Sequence, residues 1–166
     1  KVGGPVDPYS GVAVIVALMR PESRGTVMIT ANDPTVPPRI EPNYLSAPKD
    51  RETLVMGLQK AREIMAQSSI PKYLIEETRP GPACKTEDDF LAHLETSGRT
   101  SYHPVGTCRM GADAEAVVDA RLRVNGVQGL RVVDGSVMPA LVSGNTNAPI
   151  IMIGEKAADM ILEDGG

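Results

Sequence analysis

The sequence predicts an α+β fold, an antiparallel sheet with packed helices. Three observations lead there. An apolar, β-branched run from Val12 to Met19 is followed, after a turn, by Thr26-Val27-Met28-Ile29-Thr30. Two later segments, near 50–67 and 86–97, carry apolar side chains at helical spacing. The chain has 166 residues, 42% hydrophobic and 23% charged, enough for one domain with a core.

The elements follow in order. Residues 1–10 hold Gly, Pro, Asp and Ser and read as loop. Val12–Met19 is short and rich in β-branched residues, as a strand covered on both faces would be. Arg20–Gly25 is a turn, and 26–30 the return strand of a hairpin. Residues 31–38 contain three prolines and must be irregular, and 39–42 is a short edge strand ending at Pro42. A helix runs from about Asp50, its expected cap, to about Gln67. Leu54, Leu58, Ala61 and Met65 line one face, and Arg51, Lys60, Arg62 and Glu63 form a wet one. Glu76–Pro82 is an exposed loop. A second helix starts at Thr86, with Asp89 three residues on as a variant capping box, and its Phe90, Leu91 and Leu94 face inward. His93 on that helix reads as a surface or half-buried residue. Short strands are expected at 117–119, 122–124 and 130–135. A final helix starts near Asn147 to Pro149, where proline in the first turn costs no hydrogen bond. It is apolar over much of its circumference.

Composition narrows the function classes. A net charge of −4 argues against a general nucleic-acid or anionic-membrane binder. No segment is apolar for the roughly 20 residues a membrane span needs. Cys84 and Cys108 make no disulfide framework and read as reduced thiols of a cytoplasmic protein. Two Cys and two His occur at no ligand-like spacing, so no zinc pattern exists. The chain opens at Lys1-Val2-Gly3-Gly4-Pro5 and reads as the middle of a longer polypeptide.

The chemistry concentrates in the run Ser101-Tyr102-His103-Pro104-Val105-Gly106-Thr107-Cys108-Arg109-Met110-Gly111. Pro104 fixes one backbone angle and biases His103 away from the helical region. An imidazole held in such a loop is a candidate proton-transfer group. Tyr102 reads as a packing residue and Cys108 as a small core residue. Asp119 and Arg121 read as a surface pair, while Glu155 and Lys156 carry no assigned chemistry.

Three further runs follow in order: 129–139 with Asp134-Gly135, Ser143-Gly144-Asn145-Thr146-Asn147-Ala148-Pro149, and 152–159. Together the four runs resemble the C-terminal part of the glucose–methanol–choline (GMC) family of FAD-dependent alcohol oxidoreductases, its choline-dehydrogenase-like branch in particular. The resemblance is dense over 101–162 and looser over 12–67.

The resemblance implies roles. His103 would take the proton of a primary alcohol while hydride passes to flavin N5, giving the aldehyde. Asn145 matches a second active-site position. Its amide does not titrate near neutral pH, so it would donate a hydrogen bond to the substrate oxygen. Asp134 and Gly135 match the segment near the flavin's ribityl and phosphate region. Asn147, Ala148 and Pro149 match the helix start beneath its ring, where free N–H groups and the helix dipole favour negative charge. The implied cofactor is FAD, and the implied partners are a small alcohol and an N-terminal FAD-binding part of the same protein. Residues 1–100 would be a substrate-binding region and 101–166 the catalytic loop and C-terminal segment of the FAD domain.

The family's G-x-G-x-x-G fingerprint does not occur in this sequence. The alternative is therefore an isolated piece, folded but unable to bind FAD or catalyse alone, an inert or interaction domain. Unpaired strand edges also leave a homo-oligomer open.

Overall fold

A computed structural model describes residues 8–165. The start of the expected opening loop, residues 1–7, and the final Gly166 lie outside the described residues. The element order is β1 (Thr26–Met28), β2 (Arg39–Glu41), α1 (Pro48–Met65), α2 (Glu87–Ser97) and α3 (Asn147–Asp164). Short 3₁₀ turns occur at Pro71–Tyr73 and Gly135–Val137. Helices and a two-stranded antiparallel sheet agree with the expected α+β class.

The expected hairpin 12–30 does not form. β1 pairs instead with β2, with Thr26 opposite Glu41, Val27 opposite Ile40 and Met28 opposite Arg39. The reason lies at Asp50. This carboxylate does not cap α1; the N-cap is Ala47, and Asp50 is 2% exposed inside the first turn. Asp50 Oδ1 accepts the N–H of Glu22 at 2.8 Å. Its Oδ2 accepts the N–H and hydroxyl of Ser23 at 2.8 and 2.5 Å. The Ser23 hydroxyl oxygen in turn accepts the N–H of Ala47 at 3.1 Å. The predicted turn is thus fastened to the start of α1, and the run before it passes along that helix. Val16 lies so close to Gly57 that a Cβ there would collide with its Cγ1. Val16 and Leu18 are half-buried, but Val12 and Val14 on the same side stay exposed, so only the end of the run keeps a strand's alternation, and it has no strand's ladder.

α2 matches expectation. The Thr86 side chain accepts from Asp89 N, and the Asp89 carboxylate accepts from Thr86 N at 2.8 Å. A reciprocal cap of this kind is worth about 1 kcal/mol. Val55, Cys84 and Phe90 form a small core, with Leu58, Leu91 and Leu94 packed on it. Arg62, expected in the wet face, is half-buried instead. Its guanidinium lies 4.8 Å from the Phe90 ring centroid, forks onto Glu77 and donates to the carbonyls of Gly81 and Cys84. It therefore draws in the loop 77–84, where Gly81 is buried rather than exposed.

The second core belongs to residues 101–166. Val118, Leu122, Val137, Met138, Ile153 and Ala157 are buried together. The expected strands at 117–119, 122–124 and 130–135 shrink to single bridges, Val118 with Met110 and Val124, and Arg123 with Arg131. Turns at Leu122 (φ 62°), Gly126 (φ 78°) and Gly129 (φ 71°) interrupt the chain too often for a longer ladder. Asp119 pairs with Arg123 at 2.8 Å, not with the Arg121 side chain. Arg121 reaches the end of α3, at Glu163 and Asp164. Only one stripe of α3 is buried among the described residues; Ile151, Met152, Ile161 and Leu162 remain at least half exposed. No helix among the described residues is long and apolar enough to cross a membrane.

Candidate active site

The loop 103–110 is laid along the 3₁₀ turn by backbone hydrogen bonds. Cys108 N donates to Ser136 O at 3.0 Å and Met110 N to Val137 O at 2.8 Å. Gly106 (φ 93°) makes the reversal between His103 and this ladder, and a Cβ there would sit 3.3 Å from Met138 O. Tyr102 adopts φ 61°, with its N–H donating to Thr100 Oγ1 at 3.0 Å. Tyr102 is 68% exposed, so it is not the expected packing residue here. Arg109 forks onto Asp113 at 2.9 and 2.6 Å. The hydrogen bonds from Arg109 and from Glu115 N hold the Asp113 carboxyl at a pKa of about 2. Cys108 is half-buried and outside the core cluster, and both thiols are free.

Asp134 does not end a strand. It caps the 3₁₀ turn, its Oδ1 accepting Ser136 N at 2.7 Å. Gly135, next to it, is buried where loop, turn and α3 meet. A Cβ on Gly135 would lie 3.0 Å from Ile150 Cδ1 and 3.8 Å from Val105 Cγ1. That position therefore lets the first turn of α3 approach the histidine loop.

The closest link between the two motif loops is polar. His103 Nδ1 lies 2.9 Å from Thr146 Oγ1. His103 is half-buried and Thr146 is 5% exposed, while the neighbouring Asn145, Asn147 and Ala148 are exposed. The structure thus brings His103 beside the residue that follows Asn145, at the start of α3. Among the described residues, no group accepts the N–H of Asn147 or Ala148. Pro149 supplies none, and the Thr146 side chain makes no cap bond. The positive end of the helix dipole thus carries two N–H groups on exposed residues with no acceptor among the described residues. On the other side, Ser143 accepts from Arg20 Nε at 2.6 Å and borders a concavity with Leu18, Met19, Lys49 and Thr53.

Sequence reasoning missed Thr146. The available signal was Pro149, three residues on, which removes one of the two N–H groups that a threonine at a helix start can hold.

The GMC oxidoreductase family model matches residues 21–154. The chain belongs to the GMC oxidoreductase family. An alcohol dehydrogenase [acceptor] of Pseudomonas putida is 45% identical over 152 residues, covering 92% of this chain and 28% of that protein. An oxygen-dependent choline dehydrogenase of Escherichia coli is 46% identical over 146 residues, 88% of this chain and 26% of that one. A solved FAD-dependent oxidoreductase from Chaetomium thermophilum superposes with a TM-score of 0.80 at 30% identity, covering 85% of this chain and 25% of the other. The GMC resemblance read from the four motifs therefore stands. This GMC oxidoreductase chain spans about a quarter of the length of those relatives.

Proposed function

We propose that the chain is the C-terminal, substrate-side part of an FAD-dependent alcohol oxidoreductase that converts a primary alcohol to an aldehyde. The observation that carries the reading is the contact of His103 with Thr146, which puts an imidazole against the residue after Asn145, at a helix start where two N–H groups have no acceptor among the described residues. Residues 1–100 are its substrate-binding region and 101–166 its catalytic loop and the end of its FAD domain. Two separate cores, one in each part, support that division.

The residues present fit a flavin. The unsatisfied N–H groups of Asn147 and Ala148 at a helix start suit a ring that gains negative charge on reduction. Asn147, Ala148 and Pro149 would lie against that ring, with Asp134 and Gly135 toward its ribityl and phosphate region. When bound, the flavin supplies the two-electron acceptor.

The work of this chain's own residues is proton transfer and orientation. His103 takes the substrate's hydroxyl proton on Nε2, the nitrogen not facing Thr146. Asn145 donates an amide N–H to the substrate oxygen, aligning it and stabilising the alkoxide character that develops as the proton leaves. Neither role can be exchanged, because an amide does not accept a proton at neutral pH.

This division predicts unequal losses. Asn145→Ala in the whole protein lowers kcat about 10- to 100-fold, less than loss of the imidazole does. Steady-state kinetics of the two variants side by side check it. A greater loss at Asn145 than at His103 would contradict the assignment of proton transfer to His103.

A further inference from the structure

The hydroxyl of Thr146 is placed where a helix cap belongs, yet it caps nothing. A threonine at a helix start normally has extended backbone angles, and its oxygen accepts the N–H of the second or third helical residue. Here the third residue is Pro149, which has no N–H, and the N–H of the second, Ala148, is not bonded to the Thr146 side chain. Thr146 itself adopts φ −83° and ψ −9°, helical rather than extended, and its side chain makes no cap bond. The oxygen is released from the helix and lies instead 2.9 Å from His103 Nδ1. With Thr146 only 5% exposed, little water competes for that bond.

We propose that Thr146 is a positioning residue that accepts the Nδ1–H of His103 and so keeps Nε2 as the unprotonated nitrogen of the neutral ring. The inference rests on His103 as the proton acceptor. In the neutral imidazole one nitrogen donates and the other accepts; in the imidazolium both donate. If the threonine hydroxyl donated to Nδ1, then Nε2 would already carry the proton and could take none. That bond would also have to reverse on protonation. With Nδ1–H donating to Thr146 Oγ1, the ring gains its proton at Nε2 with no rearrangement. The existing bond becomes charge-assisted and stronger as it does so. Pro149 removes one of the two helical N–H groups that could compete for the threonine oxygen, and the other, that of Ala148, does not bond it.

Thr146→Val, which keeps shape and removes the hydroxyl, and Thr146→Ser, which keeps the hydroxyl, test this in the whole flavin-loaded protein. Histidine ¹⁵N shifts, read before substrate is added and assigned by the signals missing in His103→Ala, report the tautomer directly. The expected result is a protonated Nδ1 and unprotonated Nε2 in the wild type and in Thr146→Ser. In Thr146→Val the proton moves to Nε2 and kcat falls about 10- to 100-fold, with KM within about 2-fold. Thr146→Ser stays within about 3-fold of wild-type kcat. A proton on Nε2 in the wild type overturns the proposal, as does a Thr146→Val protein that keeps both the tautomer and kcat. Near-normal turnover in His103→Ala contradicts the base assignment instead, since the nitrogen shifts decide the tautomer independently of turnover.

Discussion

Replacing His103 with Ala is expected to lower turnover of the whole protein about 10²- to 10⁴-fold, the usual contribution of a positioned general base. Flavin content should remain that of the wild type. Among the described residues the His103 side chain makes one hydrogen bond, to Thr146, and the loop that carries it is held by backbone bonds from Cys108 and Met110 to the 3₁₀ turn. Truncation at Cβ therefore removes the proton acceptor and leaves the loop in place. Turnover with a primary alcohol and flavin absorbance per protein chain are the paired measurements. Turnover within a few-fold of wild type at full flavin content would remove His103 from the mechanism.

The largest effect on stability is expected from Asp50→Ala. The carboxylate is buried and accepts three hydrogen bonds, two from backbone N–H groups. Its loss strands those donors and frees the segment 22–23 from α1, at a cost of about 2–5 kcal/mol. Denaturant unfolding of the variant against the wild type measures it; a loss under about 0.5 kcal/mol would show that the latch is not needed. The same group gives a pH dependence. Burial pushes the Asp50 pKa up, but the hydrogen bonds from Glu22 N, the Ser23 hydroxyl and Ser23 N outweigh it and leave the pKa below the usual 3.8. A depressed carboxyl stabilises the fold above its unfolded pKa, and that stability is lost as pH falls through the folded value. The contribution is therefore complete above about pH 5 and fades below about pH 4, and it is absent from the Asp50→Ala profile.

The same residue marks the limit of what the sequence made legible. Helical periodicity placed α1 and α2, and Thr86 with Asp89 announced a cap that the structure contains. Periodicity cannot show that Asp50 reaches back 27 and 28 residues to Ser23 and Glu22, and that long-range bond is what turned the expected hairpin aside. Arg62 failed similarly: a cation at a solvent-facing spacing was recruited by an aromatic ring and two carbonyls from a distant loop. The expected strands in 117–135 were apolar enough, but left-handed turns at Leu122, Gly126 and Gly129 cut them to bridges. His103 and Asn145 can be named as candidates from the sequence because their motifs are local. Thr146 cannot, because its contact is with an imidazole 43 residues away.

Residues 101–149 are proposed to form the proton-handling side of a flavin-dependent alcohol oxidation. Anaerobic mixing of the whole flavin-loaded protein with primary alcohols tests it most directly, followed by the visible absorbance of the oxidised flavin. Bleaching by at least one primary alcohol is predicted for the wild type, with aldehyde formed in equal amount, and bleaching at least about 10²-fold slower in His103→Ala. Bound flavin that no primary alcohol bleaches, or equal rates in the two proteins, would contradict the account.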